Sequence, residues 1–368
     1  MSRTGRGPPL NLAIDLALVN EGHGNNDSDE NTPLAANVAD RTMAVLETTY
    51  RNEGLSIGHD FMRYQGRHIS KVKSLSPTSL ICEGMIGRGA CSIVTKARHV
   101  ETGEVFACKE FLSVKRDSQR AKMLLKEIQG LCEASNSGSS GKTCPCLVKL
   151  VGGFFTKGTV MLVLEYMNGG SLRDLIPCSQ SGQMSASGLP EPVIAGITYQ
   201  ALIGISFLHD KNILHRDIKP ENVLFSLEGD VKLTDFGISK RNDQSLHTSF
   251  LTGTVTYLSP ERLEAKSYCR KSDVWSLGVL LIELAVGSGS PFRKTSSIFD
   301  LKVLVDEEPV EKLIPQQIKG RFREVLGLCL KKSPRSRISA RILLQSPWFE
   351  KCGIKSINDA RAAIKSYV

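Results

Sequence analysis

Runs of alternating apolar and polar residues dominate the chain between Leu80 and Glu165. Turns that contain glycine separate these runs, which are rich in Val, Ile, Leu and Phe. An alternation with a period of two, broken by turns, is typical of β-strands. The pattern predicts five strands, at Leu80 to Met85, Ser92 to Arg98, Glu104 to Phe111, Leu147 to Phe155 and Val160 to Glu165.

One helical pattern interrupts these strands. From Lys115 to Ala134, apolar residues such as Ile128 and Leu131 recur at helix spacing,. Beyond Gly170 the sequence becomes mainly helical. The predicted fold class is α+β, a bilobal domain over residues 78–350. Its small N-terminal lobe, residues 78–166, has five strands and one main helix, and its larger C-terminal lobe, residues 167–350, is mainly helical.

The two ends of the chain have different patterns. Residues 1–77 read as an N-terminal extension, largely disordered, because Glu21 to Thr32 is polar and rich in Asn, Asp and Gly,. Within it, apolar positions between Ala35 and Arg51 predict a short amphipathic helix,. Residues 351–368 are expected to form a C-terminal tail.

Composition excludes several classes of protein. The 368 residues are 41% hydrophobic and 23% charged, as in soluble globular proteins,. The net charge of +9 suits a protein that handles phosphates, but no dense basic block with interleaved aromatic residues predicts nucleic-acid binding,. No membrane association is expected, since the most apolar run, Trp275 to Gly287, is short and contains Glu283,. Ten scattered cysteines show no zinc spacing and indicate reduced thiols, in the cytoplasm or the nucleus,.

Residues that can handle phosphate recur in a fixed order. Gly87-Arg88-Gly89 joins two predicted strands, and Lys109 follows on the third. Further on, His215-Arg216-Asp217-Ile218-Lys219-Pro220-Glu221-Asn222 precedes Asp235-Phe236-Gly237. Glycines let backbone N–H groups approach phosphates, and carboxylate and amide oxygens bind hard cations. A lone Gly-x-Gly would indicate a plain hairpin and a lone Asp a loop cap, but here the spacings coincide.

In this order the motifs resemble the catalytic core of eukaryotic protein kinases, from Leu80 to about Glu350,. The resemblance implies ATP and Mg²⁺ as cofactors. It implies that Asp217 orients the substrate hydroxyl and accepts its proton, while Lys219 neutralises charge on the departing phosphate. Lys109 would hold the α and β phosphates, and Asn222 and Asp235 would bind the metal.

The nucleotide site implied by the resemblance draws on both lobes. Its residues would be Ile86, Gly87, Arg88, Gly89, Ala90, Cys91, Ser92, Ile93, Val94, Ala107, Lys109, Glu127, Glu165, Met167, Ser171, Asn222, Leu224 and Asp235. Glu127, on the inward face of the predicted helix, is the favoured partner of Lys109, with Glu110 and Glu133 as competitors. Backbone groups of Glu165 and Met167 would meet the adenine edge.

A Ser/Thr-rich stretch follows Gly237 and is the candidate switch. A phosphate there would add about −1.5 to −2 charges, which Arg216 beside the catalytic Asp could bind. Further along, Glu261 and Arg337 are expected to form a buried structural ion pair.

Finer motifs resemble the MAP kinase kinase family, dual-specificity kinases of the STE group. They include Asp235-Phe236-Gly237-Ile238-Ser239 and Tyr257-Leu258-Ser259-Pro260-Glu261-Arg262-Leu263. The resemblance implies phosphorylation of Thr and Tyr in the activation loop of a MAP kinase. It also implies activation by an upstream MAP kinase kinase kinase at Ser245 and Ser249, which have the family's Ser-x-x-x-Ser/Thr spacing.

A short motif near the N-terminus, within residues 3–12, resembles the family's docking motif for its substrate kinases. Arg3 and Arg6 would meet an acidic patch on the MAP kinase, and Leu10 and Leu12 would fill apolar pockets.

Two departures keep alternatives open. Glu221 stands where the family usually has Ser, and one extra residue precedes Gly253. Dual specificity is therefore open, and another STE-group Ser/Thr kinase, one tier upstream, is the first alternative. A catalytically silent kinase-like scaffold is the second, and the presence of Lys109, Asp217 and Asp235 argues against it.

Overall fold

The computed structural model describes residues 44–46, 49–52, 55–58, 62–64, 67–69, 75–89, 92–111, 128–132, 143–156, 159–176, 188–236, 255–264, 266, 268–287, 290–295 and 297–368. Residues from Thr42 to Val368 form one compact unit.

Five antiparallel strands form the sheet of the N-terminal lobe, in the order β6-β7-β8-β10-β9. They are β6 (Leu80–Arg88), β7 (Ser92–His99), β8 (Val105–Phe111), β9 (Leu150–Thr156) and β10 (Thr159–Glu165). Apolar side chains on both faces are buried, with Phe106 and Phe154 on one face and Leu162 on the other. The five-stranded lobe predicted from the sequence is confirmed.

The main helix of this lobe, α1, is described over residues 128–132. Ile128 and Leu131 are buried in the same core as Leu162 of β10. The rest of the helix predicted between Lys115 and Ala134 lies outside the described residues.

A second five-stranded antiparallel sheet precedes the first one and was not predicted. Its strands are β1 (Ala44–Leu46), β2 (Thr49–Asn52), β3 (Leu55–Gly58), β4 (Met62–Tyr64) and β5 (Arg67–His68), paired in chain order. The helix expected between Ala35 and Arg51 is wrong over β1 and β2. Pairing between successive short strands decides the structure here, and a count of apolar positions within one segment does not detect it.

The C-terminal lobe is mainly helical, as predicted. Its helices are α2 (Leu172–Leu175), α3 (Glu191–Asp210), α4 (Pro260–Leu263), α5 (Arg270–Val286), α6 (Ile298–Glu307), α7 (Val310–Leu313), α8 (Gly320–Cys329), α9 (Ala340–Leu343), α10 (Pro347–Lys351) and α11 (Ile357–Lys365). A small sheet pairs β11 (Gly170–Ser171), β12 (Val223–Phe225) and β13 (Val231–Leu233).

Helix α3 is the centre of this lobe. Among the described helices, α3 alone is long and apolar enough to cross a membrane, which was not predicted from the sequence. However, 72% of its apolar 18-residue stretch is buried inside the protein. Its neighbours include α5, α9, α10, α11 and β13. Such burial is what a core helix requires.

Helix α11 forms where a tail was expected. Gly196 of α3 leaves no room for a side chain, because a Cβ would lie 2.7 Å from the Ala360 carbonyl oxygen. Arg361 also pairs with Asp230 at 2.6 Å, which ties α11 to the β12–β13 hairpin. Helix α11 is therefore held in place by close packing against a glycine of α3. Helical periodicity in the sequence does not reveal such a contact.

The predicted ion pair between Glu261 and Arg337 is confirmed. Two parallel hydrogen bonds of 2.8 and 2.9 Å join the side chains, and both residues are buried. Burial acts to raise the pKa of the Glu261 carboxyl, but hydrogen bonds from Arg337 and Ser272 hold it below its ordinary value,. The pair fastens α4 to the loop before α9.

Candidate active site

Three side chains meet in the loop before β12. Lys219 Nζ lies 2.8 Å from Asp217 Oδ2. Asn222 Nδ2 donates to the same oxygen at 2.7 Å and to the Asp217 carbonyl at 2.8 Å. The Asp217 carboxylate is therefore held in one orientation by a cation and an amide, yet its side chain remains one-third exposed, at 33%.

A buried carboxylate supports this loop from behind. Asp273 of α5 accepts hydrogen bonds from the backbone N–H groups of His215 at 3.1 Å and Arg216 at 2.9 Å, and lies 2.7 Å from His209 Nε2. Burial acts to raise the pKa of Asp273, but the hydrogen bond with His209 and other contacts keep it below the ordinary value. Arg216 has φ of +69°, a conformation that non-glycine residues rarely adopt and that these bonds can sustain.

The sequence alone did not assign a role to Asp273. The available signal was an acidic residue at the fourth position of α5, directly before the apolar residues Val274 and Trp275.

Asp235 follows β13 and faces Lys109 across the lobes. Lys109 Nζ and Asp235 Oδ1 are 2.8 Å apart, and Lys109 is buried. Burial acts to raise the pKa of Asp235, but the neighbouring Lys109 ammonium outweighs it and holds that pKa below its usual value. The backbone of Thr234 donates to the Asn222 carbonyl at 3.0 Å, so Asp235 and the catalytic loop are held together.

The Gly-rich turn lies in register with Lys109. Gly87 pairs with Val94, and Val94 pairs with Lys109. The Gly89 N–H donates to the Ser92 carbonyl at 2.8 Å, which closes the turn. Ala107, on the same strand as Lys109, pairs with Lys96 of β7. Ile93 lies on β7 as expected, whereas Ile86 and Arg88 lie on β6, which extends beyond the predicted end at Met85. Ala90 and Cys91 lie outside the described residues.

In the segment that links the lobes, the backbone groups of Glu165 and Met167 are not equally available to an adenine base. The Glu165 N–H donates to the Lys149 carbonyl at 3.0 Å, so this N–H is not available to a base. The Glu165 carboxylate pairs with Lys232 at 2.6 Å. Gly170 N–H donates to the Met167 carbonyl at 3.3 Å, which leaves the Met167 N–H as the better candidate.

Ser171 does not present a free hydroxyl. Its Oγ and its N–H both donate to Asp174 Oδ2 at 2.8 Å, which caps helix α2,. Contact with a ribose would require this bond to be shared or exchanged. Leu224 pairs with Ser171 and is partly buried.

Several predicted site residues lie outside the described residues. They are Glu127, the regulatory candidates Ser245 and Ser249, and the docking residues Arg3, Arg6, Leu10 and Leu12. Their assignments stay predictions.

An ion network beside the catalytic loop was not foreseen. Arg173 of α2 pairs with Glu221 at 2.8 Å and with Glu283 of α5 at 2.7 Å. Arg173 also donates to the Tyr257 hydroxyl at 3.0 Å, and Tyr257 donates to Glu283. Burial and then the nearby Glu283 carboxylate raise the pKa of Tyr257 well above its ordinary value. In the sequence, Glu221 stands out only because the family usually has Ser at this position.

The donor set fits a nucleotide with a hard divalent cation. Among the residues that the structure describes, no group of three or more His, Cys, Asp or Glu side chains could hold a metal ion. The Asp235 carboxylate, which lies beside Lys109, and the Asn222 side-chain oxygen are hard ligands, and phosphate oxygens would complete such a site. The arrangement can therefore bind a phosphate-rich ligand beside a positioned carboxylate.

Comparison with known proteins agrees with this geometry. The sequence model of the protein kinase domain matches residues 81–349. The chain is thus a protein kinase, and its bilobal fold is the fold of that class.

Individual relatives narrow the family. Mitogen-activated protein kinase kinase 2 of Arabidopsis thaliana is 31% identical over 89% of this chain and 90% of its own length. The dual specificity mitogen-activated protein kinase kinase dSOR1 of Drosophila melanogaster is 32% identical over 83% of this chain and 80% of its own length. The chain belongs to the MAP kinase kinase family. It spans about half of another relative, mitogen-activated protein kinase kinase 3 of Arabidopsis thaliana, which is 36% identical and has 49% of its length covered.

Proposed function

We propose that this protein kinase is a MAP kinase kinase that phosphorylates Thr and Tyr in the activation loop of a MAP kinase, with ATP and Mg²⁺. The observation that carries the proposal is the Asp217 carboxylate held by Lys219 and Asn222, with the Lys109–Asp235 pair in the same site. The names of relatives that share most of the chain's length support the choice of substrate class.

Each residue of the site has a separate role in phosphoryl transfer. Bound ATP would supply the phosphoryl group, with Mg²⁺ neutralising its charge. Asp217 orients the acceptor hydroxyl and takes its proton, because the carboxylate is fixed but still accessible. Lys219, 2.8 Å from Asp217, stabilises negative charge that develops beside it. Lys109 would hold phosphates, and Asp235 and Asn222 would hold the cation.

The proposed function also includes an upstream activating kinase and a docked substrate kinase. Phosphorylation of Ser245 and Ser249 by an upstream MAP kinase kinase kinase would switch the enzyme on. Arg3, Arg6, Leu10 and Leu12 would dock the substrate MAP kinase. The free thiols of the eight described cysteines agree with a reducing compartment, which we take to be the cytoplasm or the nucleus,.

Mapping of phosphosites tests the substrate class. Purified enzyme is incubated with a panel of inactive MAP kinases, and the products are mapped by mass spectrometry. We expect Thr and Tyr phosphorylation in one activation loop, and phosphorylation confined to Ser and Thr would reject dual specificity. A Lys109→Met enzyme controls for contaminating kinases.

A Ser/Thr kinase one tier upstream is the second candidate, and Glu221 favours it because the family usually has Ser there. Deleting residues 1–16 separates the two functions. A MAP kinase kinase should lose phosphorylation of its MAP kinase while keeping activity on a generic protein substrate. Equal activity on both substrates after the deletion would argue for the second candidate.

A further inference from the structure

The sheet formed by β1–β5 belongs to the kinase domain physically, although residues 44–68 lie outside the segment that matches the family. Its strands have two to four residues each, too few to be stable alone,. One face is fully covered, since Leu55, Ile57, Met62 and Tyr64 are each at most 5% exposed. These side chains share one continuous core with Ile128 of α1 and with residues of β9 and β10.

A specific fit joins this sheet to the N-terminal lobe. Strands β3 and β4 pack against β9. At the contact, a Cβ on Gly153 would lie 2.7 Å from Met62 Sδ, so the methionine tip occupies the place of a side chain. Met62 is completely buried. A side chain at position 153 would fit only if the flexible Met62 side chain moved out of this space,.

The strand register links this contact to the catalytic lysine. Gly153 pairs with Leu162, Leu162 pairs with Lys109, and Lys109 pairs with Val94. Side chains of directly paired residues point to the same face of a sheet. Met62 therefore packs at the β9 end of a row of paired residues, Gly153, Leu162 and Lys109, which crosses β9, β10 and β8. Within the part of the chain that the structure describes, β9 is an edge strand, so no further strand of its own sheet supports that end.

We propose that the β1–β5 sheet is a positioning element of the active site, with Met62 as its positioning residue. By filling the space above Gly153, Met62 holds β9 and β10 in place and so sets the position of Lys109 opposite Asp235. Small displacements of groups that position a substrate are costly, with about 1 Å enough to lower the rate up to about a hundredfold. The inference requires protein kinase activity and no particular substrate.

Four full-length variants test the contact, each assayed on a generic protein substrate over a range of ATP concentrations. Met62→Ala should lower kcat/KM for ATP about tenfold, whereas Met62→Leu, which keeps most of the volume, should stay near the wild type. Gly153→Ala should lower it as well, because its new methyl group collides with Met62. The double variant Gly153→Ala/Met62→Ala removes that collision, so its defect should be no larger than that of Met62→Ala.

Two control variants separate positioning from stability. Leu343→Ala opens a cavity in the core of the C-terminal lobe and should lower the melting temperature without changing the KM for ATP. Ser56→Ala, on the opposite face of β3, should change neither quantity. If Met62→Ala matched Leu343→Ala in melting temperature and kept wild-type ATP kinetics, the sheet would be packing only. Higher activity in Met62→Ala would make the sheet a restraint and overturn the proposal.

Discussion

Replacing Arg173 by Met should destabilise the protein far more than an ordinary surface substitution. Arg173 has two carboxylate partners in very different environments. Glu283 is 1% exposed and lies 2.7 Å from the guanidinium, whereas Glu221 is 46% exposed at 2.8 Å. Removing the cation from a buried pair costs about 3–5 kcal/mol, because the remaining charge is left without compensation. An exposed pair contributes only about 0–1 kcal/mol, so Glu283 should account for most of the loss.

The expected loss of stability differs between the variants at this network. Arg173→Met should lose about 3–5 kcal/mol, which lowers the melting temperature by about 6–20 °C. Glu221→Gln, the matched control, should lose about 0–1 kcal/mol. Arg173→Met combined with Glu283→Gln removes the buried negative charge that faced the guanidinium, and the amide at position 283 can still accept the hydrogen bond from Tyr257. Most of the loss should therefore be recovered.

Urea denaturation at pH 7.5 measures these differences directly, with m-values compared to verify that the unfolding transition is unchanged. A loss below about 1 kcal/mol in Arg173→Met would mean that the pair behaves as an exposed one. A double variant as unstable as Arg173→Met alone would show that the buried charge is not the cause. Either result refutes the argument.

The remaining predictions concern catalysis, switching and pH. Lys109→Met and Asp217→Ala should each abolish phosphoryl transfer with circular dichroism unchanged, and near-normal turnover in either variant would contradict the assigned roles. Glu in place of both Ser245 and Ser249 should raise basal activity above that of the paired Ala variant, and equal activities would count against the switch. His215 is buried, and burial lowers its pKa. As pH falls below about 6.5 the unfolded chain therefore binds a proton that the folded protein resists, and stability is lost. Denaturation at pH 7.5 and 5.5 measures this loss, and equal stability would exclude the effect.

The sequence predicted the kinase lobes because their signals are local. Alternation of apolar and polar residues gave the strands around Lys109, and the spacing from Asp217 to Asn222 gave the catalytic loop. Those residues do meet, with Asn222 donating to Asp217 at 2.7 Å. Chain spacing constrains such contacts because only a few residues separate the partners.

Features that depend on distant partners were missed. Arg173 and Glu283 are 110 residues apart, and nothing near either residue marks it as half of a pair. The β1–β5 sheet was missed because its short strands are stabilised by each other and by β9. Helix α11 was missed because two glycines, at positions 196 and 229, provide the surface on which it packs.

Helix α11 has a practical consequence for where the chain can be cut. The family match stops at residue 349, so truncation just after it would appear harmless. Such a shortened chain would uncover the apolar flank of α3 that Ala360 and Ile364, both completely buried, now cover. Fresh apolar surface of this kind promotes self-association, so the truncated enzyme should be recovered mainly as insoluble aggregate.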